Sequence, residues 1–414
     1  MPTEKLYWDE PTTFSFETTG ARVASWQDKP ALVLPRTVFY AEGGGQLGDT
    51  GTLRVGSQRL RVVDTQIDEA GDIFHVLDAP AVVAHDAAII GSIDVDRRRD
   101  MMAHHTAQHM LSRAVLDVAR AATVSARLSL GSCTIDFDKA SLPDADLASA
   151  EDLVNAIVRD DVTVRAFFPN EEELKSLDLR RAPKVQSGIR IVEVSGFDLT
   201  PCGGSHVTRS GQIGAVRVIA TERYKGKMRA TFVAAARVLV DARAKDRLLG
   251  ELARDMTCGL GDIPANVARL RAELAERVDA LAKARAELVR HVAGELLSAA
   301  RIDPSGTTVV RVLRDGDDVG ALRTLAGRLS AREDVVAICG SKDASGEVLV
   351  IVQRGGGTNF DCGAWLKETA ARLGGRGGGR PERAEGKLPA AFAGELDPQL
   401  PSQHDRNDGD SGPR

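Results

Sequence analysis

Aromatic residues are scarce, 4% of the 414 positions. Any core must therefore be packed with Leu, Val, Ile and Ala. Cysteine is scarcer still. Cys133, Cys202, Cys258, Cys339 and Cys362 are odd in number and widely scattered, which excludes a disulfide framework and suits a reducing cytosol. No run of about 20 apolar residues occurs, so no helix is expected to span a membrane. The N-terminus, MPTEKLYWDEPTTF, carries acids and prolines where a signal peptide needs an apolar run, and a cytoplasmic location is expected. Positive charge is not in excess. A net charge of −5 excludes a protein basic all over, so a nucleic-acid partner would have to meet local clusters of Arg and Lys. What the chain has in quantity is aliphatic surface to bury, and its length suggests roughly two to four domains.

The periodicity implies an α+β chain. From Phe14 to Val95, short alternating runs such as GTLRVGSQRLRVVDTQI are broken by Gly, Asp and Pro, which predicts a small β-barrel over residues 1–95. Five glycines in AEGGGQLGDTG, Ala41 to Gly51, interrupt it with an irregular loop. The period then lengthens. Met102, His105, His109, Leu111 and Leu116 recur at helical spacing, predicting a helix from about Arg97 to Ala119. Strands, an acidic-capped helix and a hairpin turning at Lys225-Gly226 complete an α+β segment over 96–237, with DLTPCGGSHVTRSGQIG read as a loop.

Residues 238–301 read as a long helical connector. Val267, Leu274, Leu281 and Leu288 fall seven apart in it. That pattern suits either a helix packed on its own chain or a homodimer contact through the helical and C-terminal region. Strands and helices alternate again over 302–394, a small α/β domain closing with GGRGGGRPERAEGK; its glycine-rich part reads as a loop. Residues 395–414 are polar and aperiodic, which predicts a disordered tail.

Three of the eight histidines crowd into MMAHHTAQHMLSRA. On a helix, positions four apart share a face, so His105 and His109 project together. Alone, this is common on a polar surface. Far downstream PCGGSH repeats the spacing with Cys202 and His206, and two glycines between them let a tight loop turn both inward. Together they form a Cys-His₃ set suited to one Zn²⁺ per chain. Four protein ligands would close a structural site, and three plus water would leave a catalytic one; the spacing leaves the number open. His104 lies a helical step away and reads as a supporting or surface group.

HHTAQHML with TPCGGSHVTRSGQIGAVRVI resembles the editing domain of alanyl-tRNA synthetases and of their stand-alone relatives, the AlaX-type proteins. The synthetase-like C-G-G-T-H stands here as Cys202-Gly203-Gly204-Ser205-His206. FYAEGGGQLGDTG resembles the glycine-rich motif of the β-barrel preceding that domain, with Leu47 where Pro is usual. CGAWLKETAARLGGRGGGRPERAEG is similar to the C-terminal domain shared with DHH-family phosphoesterases. The likeness runs in order from about residue 5 to 395. It matches the long AlaX form best, and activation of alanine is not expected.

The resemblance implies hydrolysis of the ester joining serine, or glycine, to the acceptor end of tRNA(Ala), with zinc placing ester and water. A synthetic site rejects such near-isosteres of alanine poorly by shape, hence a second, hydrolytic site. Candidate partners for a serine hydroxyl are Thr106, Ser125 and Gln46; where synthetases often have Gln after the position of Ser125, this chain has Ala126. For RNA contact the candidates are the backbone of Gly43, Gly44 and Gly45, the hairpin residues Arg223, Lys225, Lys227 and Arg229, and Arg376 with Arg380 near the C-terminus. Three rivals remain. A phosphoesterase needs an Asp-rich D-H-H cluster that the sequence lacks. A non-catalytic zinc-stapled RNA-binding protein would show compact knuckle spacing. A threonine-type editing protein shares both metal motifs but is less consistent with the glycine-rich barrel and C-terminal domain.

Overall fold

Residues Phe14 to Val95 realise their alternation as one antiparallel sheet. A computed structural model of the chain describes residues 2–396 except 184, 305 and 344. The strands are β1 (Ser15–Thr18), β2 (Arg22–Trp26), β3 (Lys29–Val33), β4 (Gly51–Val55), β5 (Gln58–Ile67), β6 (Ile73–Leu77) and β7 (Ile89–Ile93). They lie in the order β1-β7-β4-β5-β6-β3-β2. The expected barrel is corrected in one respect: β1 and β2 end the ladder without pairing to each other, so the sheet does not close. Leu53, Leu60 and Val62 turn inward with Phe39 and Ile89, while Arg54, Arg59 and Arg61 face out.

The helix predicted near residue 97 is α1 (Val95–Ala119). Asp94 caps it by accepting from the Arg97 backbone N–H at 3.1 Å. Arg120 ends it in the left-handed conformation, at φ 51°. Its middle is buried on every side and packs into a second core. That core contains α2 (Asp144–Arg159) and a four-stranded antiparallel sheet. The sheet's strands β8 (Thr123–Arg127), β9 (Cys133–Phe137), β13 (Val216–Tyr224) and β14 (Lys227–Ala234) are ordered β8-β9-β14-β13. A further antiparallel trio, β10 (Val164–Phe167), β11 (Ile191–Val194) and β12 (Asp198–Pro201), leads into PCGGSH. Asp198–Pro201 was expected as loop. It is a strand because β11 supplies its ladder partners, a non-local contact that outweighs its local turn chemistry.

A buried ion pair fastens the glycine-rich loop to α1. Arg98 binds the Asp49 carboxylate, which also accepts from the Tyr40 backbone N–H at 2.7 Å; neither side chain meets solvent.

The chain divides into two compact units, Met1–Asp255 and Met256–Arg414. The division falls inside the stretch expected as a connector, between α3 (Ala236–Asp255) and α4 (Ile263–Ala299). In the second unit, β15 (Arg301–Ile302), β16 (Thr308–Leu313), β17 (Val335–Lys342), β18 (Val348–Arg354), β19 (Arg376–Arg380) and β20 (Arg383–Leu388) form a mixed sheet ordered β15-β16-β17-β18-β20-β19. Alternate residues of β17 feed opposite cores. Val335, Ala337 and Cys339 pack with α5 (Val319–Leu329) and the end of α4, and Val336 and Ile338 with α6 (Cys362–Leu373). The heptad residues Leu274, Leu281 and Leu288 are exposed.

Two C-terminal expectations are corrected. Arg376 to Arg380 is an edge strand rather than a loop. Its glycines let it lie close to α6: a Cβ on Gly377 would sit 2.9 Å from the Leu366 side chain. Glu395 and Leu396, expected in the tail, end a short helix (Ala393–Leu396), with Leu396 fully buried. Residues 397–414 lie outside the described residues.

Candidate metal centre and its cavity

Helical spacing puts His105 and His109 on one face of α1, and the loop after β12 carries Cys202 and His206 to them. One ligand atom from each lies within 4.8 Å of all the others. Cys202 Sγ is 3.4 Å from His105 Nε2 and 3.4 Å from His206 Nε2. The imidazole ring centroids are 4.3 to 5.1 Å apart. The three histidines are buried and Cys202 is half-buried.

The second nitrogen of each ring faces a separate group. His105 Nδ1 donates to Gln46 Oε1 at 2.7 Å, and His206 Nδ1 donates to Thr106 Oγ1 at 3.1 Å. His109 Nδ1 faces the Asp198 carboxylate at 3.8 Å and has no hydrogen-bond partner among the described residues. The contacts of His105 and His206 put their ring protons on Nδ1 and leave their Nε2 atoms facing Cys202 Sγ. Gln46 is itself fixed: its Oε1 also accepts from the Ser205 N–H at 3.1 Å, and its Nε2 donates to Ser205 Oγ at 2.7 Å. Thr106 Oγ1 in turn donates to Met102 O at 2.9 Å.

Burial lowers the His105 pKa to about 3, helped by the Arg181 and Arg190 guanidiniums. Burial also holds His109 and His206 well below the ordinary imidazole value, and the neighbouring rings add to the effect. All three are therefore neutral and able to ligate. Burial pushes the Cys202 thiol up, while the Gly204 N–H and then Arg190, Arg181 and Arg180 pull it down. Three neutral imidazoles, one thiol and the outward Nδ1 anchors fit a zinc-type donor set.

Gly204 is required by a close approach. A Cβ there would fall 2.1 Å from His105 Cε1 and 2.5 Å from its Nδ1. Arg190 Nη1 steadies the loop by donating to Cys202 O at 3.0 Å and Gly204 O at 2.9 Å. Trp8 Nε1 donates to Gly203 O at 3.0 Å.

A cavity of about 500 Å³ opens over His105 and Cys202, walled by Gly43, Gly44, Ser125, Trp8 and Arg181 among others. Two members of the cluster, His105 and Cys202, thus face an open space, while His109 and His206 lie buried behind them.

The structure brings together most of the residues singled out from sequence. Two roles change. Gln46 and Thr106 were expected to meet a substrate hydroxyl. Both are fully buried, neither lines the cavity, and their hydrogen bonds hold His105 and His206. Ser125 does line the cavity, with its hydroxyl proton donated to Asp136 at 2.7 Å. His104, expected to support the site or face solvent, is buried on the other side of α1. Its Nε2 accepts from the Ala234 N–H at 3.0 Å, and its Nδ1 donates to Asp100 O at 2.8 Å. Gly45 carries no cavity wall; its carbonyl accepts from Leu128 N at 2.7 Å and ties the loop to the end of β8.

Arg223, Lys225 and Lys227 stand at the β13–β14 turn. Arg229 is held by Asp136 at 2.7 and 3.0 Å and stacks on Tyr224. Arg376 and Arg380 are exposed on the edge strand β19 of the second unit. Asp198, Arg190, Ser205 and Trp8 escaped sequence reasoning. Only Ser205, inside the CGGSH run, carried a local signal.

Three family profiles match the chain. "tRNA synthetases class II (A)" covers residues 12–97. "Threonyl and Alanyl tRNA synthetase second additional domain" covers 189–229. The "DHHA1 domain" covers 305–398. Segments of the chain thus match domains of the aminoacyl-tRNA synthetases, including the additional domain shared by the threonyl and alanyl enzymes. Among curated proteins it is similar to alanine–tRNA ligases, and the whole set fits an AlaX-like editing protein. The ligase of Halorubrum lacusprofundi is 32% identical over 94% of this chain and 42% of its own length. That of Frankia casuarinae is 31% identical over 90% and 44%, and that of Acidothermus cellulolyticus 32% over 86% and 41%. The chain spans about two fifths of the length of these relatives. A crystal structure of the C-Ala domain from Aquifex aeolicus alanyl-tRNA synthetase aligns with 20% of this chain and 78% of its own length, at 22% identity and a TM-score of 0.19.

Proposed function

We propose that the protein is a trans-editing hydrolase that deacylates Ser-tRNA(Ala), and Gly-tRNA(Ala) as a second substrate, without forming the ester itself. The observation that carries this reading is the Cys-His₃ cluster, two members of which, His105 and Cys202, face a cavity walled by the glycine-rich loop. An aminoacyl ester is already reactive, so the protein must chiefly place water and stabilise the developing oxyanion.

His105, His109, Cys202 and His206 would hold one Zn²⁺, which when bound supplies positive charge beside the ester. Gln46 and Thr106 keep two of the imidazoles in the ligating tautomer. Arg190 fixes the loop that carries Cys202 and Gly204. Arg181 brings a fixed positive charge to the cavity wall. Gly43 and Gly44 let the terminal ribose approach the backbone, and Arg223, Lys225, Lys227, Arg229, Arg376 and Arg380 are proposed to meet tRNA phosphates. The proposal sets the protein in the cytoplasm, where the five free cysteines stay reduced. Among the described residues no helix is long and apolar enough to cross a membrane.

The test is release of the amino acid from Ser-, Gly- and Ala-charged tRNA(Ala), with and without a chelator. Loss of the serine and glycine esters alone, slowed by the chelator, is expected. Equal release of alanine, or a rate indifferent to chelation, would contradict the proposal. Absence of alanine-dependent ATP–pyrophosphate exchange is expected alongside.

A further inference from the structure

We infer that Gln108 reads the side-chain hydroxyl of the aminoacyl group, making serine rather than glycine the preferred substrate; this rests on the hydrolase reading above. Gln108 lies on α1 between His105 and His109 and is 8% exposed. It nonetheless lines the cavity, beside His105, Thr123 and Ser125.

One end of its amide is spent. Nε2 donates to Ser112 Oγ at 2.8 Å, and Thr123 Oγ1 donates to the same oxygen at 2.7 Å. This row of three side chains fixes the amide plane. The other end is free: no hydrogen bond reaches Gln108 Oε1 among the described residues. Nor is that oxygen sealed off, since the sealed side-chain atoms lacking a partner are Arg98 Nη1, His109 Nδ1 and Arg190 Nε. Oε1 is therefore an acceptor on a largely buried side chain, oriented from behind and open to the cavity.

The other polar candidates near the cluster are committed. Gln46 and Thr106 bind the ligating histidines, and Ser125 is exposed and gives its proton to Asp136. A serine hydroxyl has a proton to donate, and alanine and glycine have none to give from their side chains. A buried acceptor that stays unpaired with the smaller substrates discriminates against them more strongly than shape does.

Gln108→Met keeps the length and removes the acceptor. With kcat/KM measured on Ser- and Gly-tRNA(Ala), the variant is expected to lose about tenfold or more on serine and to change little on glycine. Zinc content and thermal midpoint should stay as in the wild type. Ser112→Ala frees the amide without touching substrate, and an intermediate loss confined to serine is expected. This second variant decides the matter if the first does not fold. Equal losses on both esters would assign Oε1 to the common α-ammonium and overturn the inference. Unchanged serine activity in both variants would overturn it too. A wild-type protein that hydrolyses neither ester removes the hydrolase reading first, a separate and recognisable failure.

Discussion

At the scale of single residues, the proposed zinc site depends on what stands behind its four candidate ligands. Gln46, Thr106 and Asp198 each address one imidazole, and Gly204 leaves room for the His105 ring. Gly204→Ala forces that ring off Gln46. Zinc affinity is expected to fall about ten- to a hundredfold, as does Gln46→Leu, in competition with a chromophoric chelator. Affinity unchanged in both variants would contradict the assigned roles. The clustering of His105, His109, Cys202 and His206 was legible in the sequence because both pairs recur at spacing four. Their supports were not. Gln46 lies in a different segment from His105, and only folding brings them together. Gln46 and Thr106, singled out for a substrate hydroxyl, instead bond His105 and His206, because sequence cannot show which polar atoms are already occupied.

At the scale of elements, the glycine-rich loop, the first sheet and α1 act together. Removing one partner of the buried Asp49–Arg98 pair leaves the other charge unpaired, so Asp49→Ala is expected to cost about 3–5 kcal/mol in chemical denaturation. His75 on β6 gives a pH signature. It is fully buried, accepting from Thr37 Oγ1 at 2.8 Å and donating to Leu32 O at 3.0 Å, and burial lowers its pKa to about 4. Between that value and the ordinary 6.5 the unfolded chain binds the proton and the folded chain does not. Its contribution is therefore complete above pH 6.5 and is lost as pH falls toward 4. About 2 kcal/mol should go between pH 7 and pH 5. His75→Gln should flatten the pH dependence by that amount, and an unchanged slope would refute the assignment.

The regular elements with clear periodicity, α1 above all, could be read almost to their ends. β12 and β19 could not. Each depends on a partner strand, β11 or β20, that overrides turn-like or glycine-rich local sequence.

At the scale of the whole molecule, the cluster joins a helix and a loop far apart in sequence within the first unit, so an ion there binds the folded state alone. Chelation should lower the thermal midpoint of that unit, a loss of about 4 kcal/mol where the ion stands a thousandfold above its Kd. Cys202→Ala should be insensitive to the chelator. The division into two units falls at Asp255, just before Gly259, Gly261 and Pro264, a break that the reading of 238–301 as one helical connector passed over.

The most direct measurement is zinc-edge X-ray absorption on the purified chain, with the metal quantified. The account predicts one ion per chain, with three nitrogen ligands and one sulfur, and the sulfur lost in Cys202→Ala. A first shell without sulfur, or the same shell in both proteins, would contradict it.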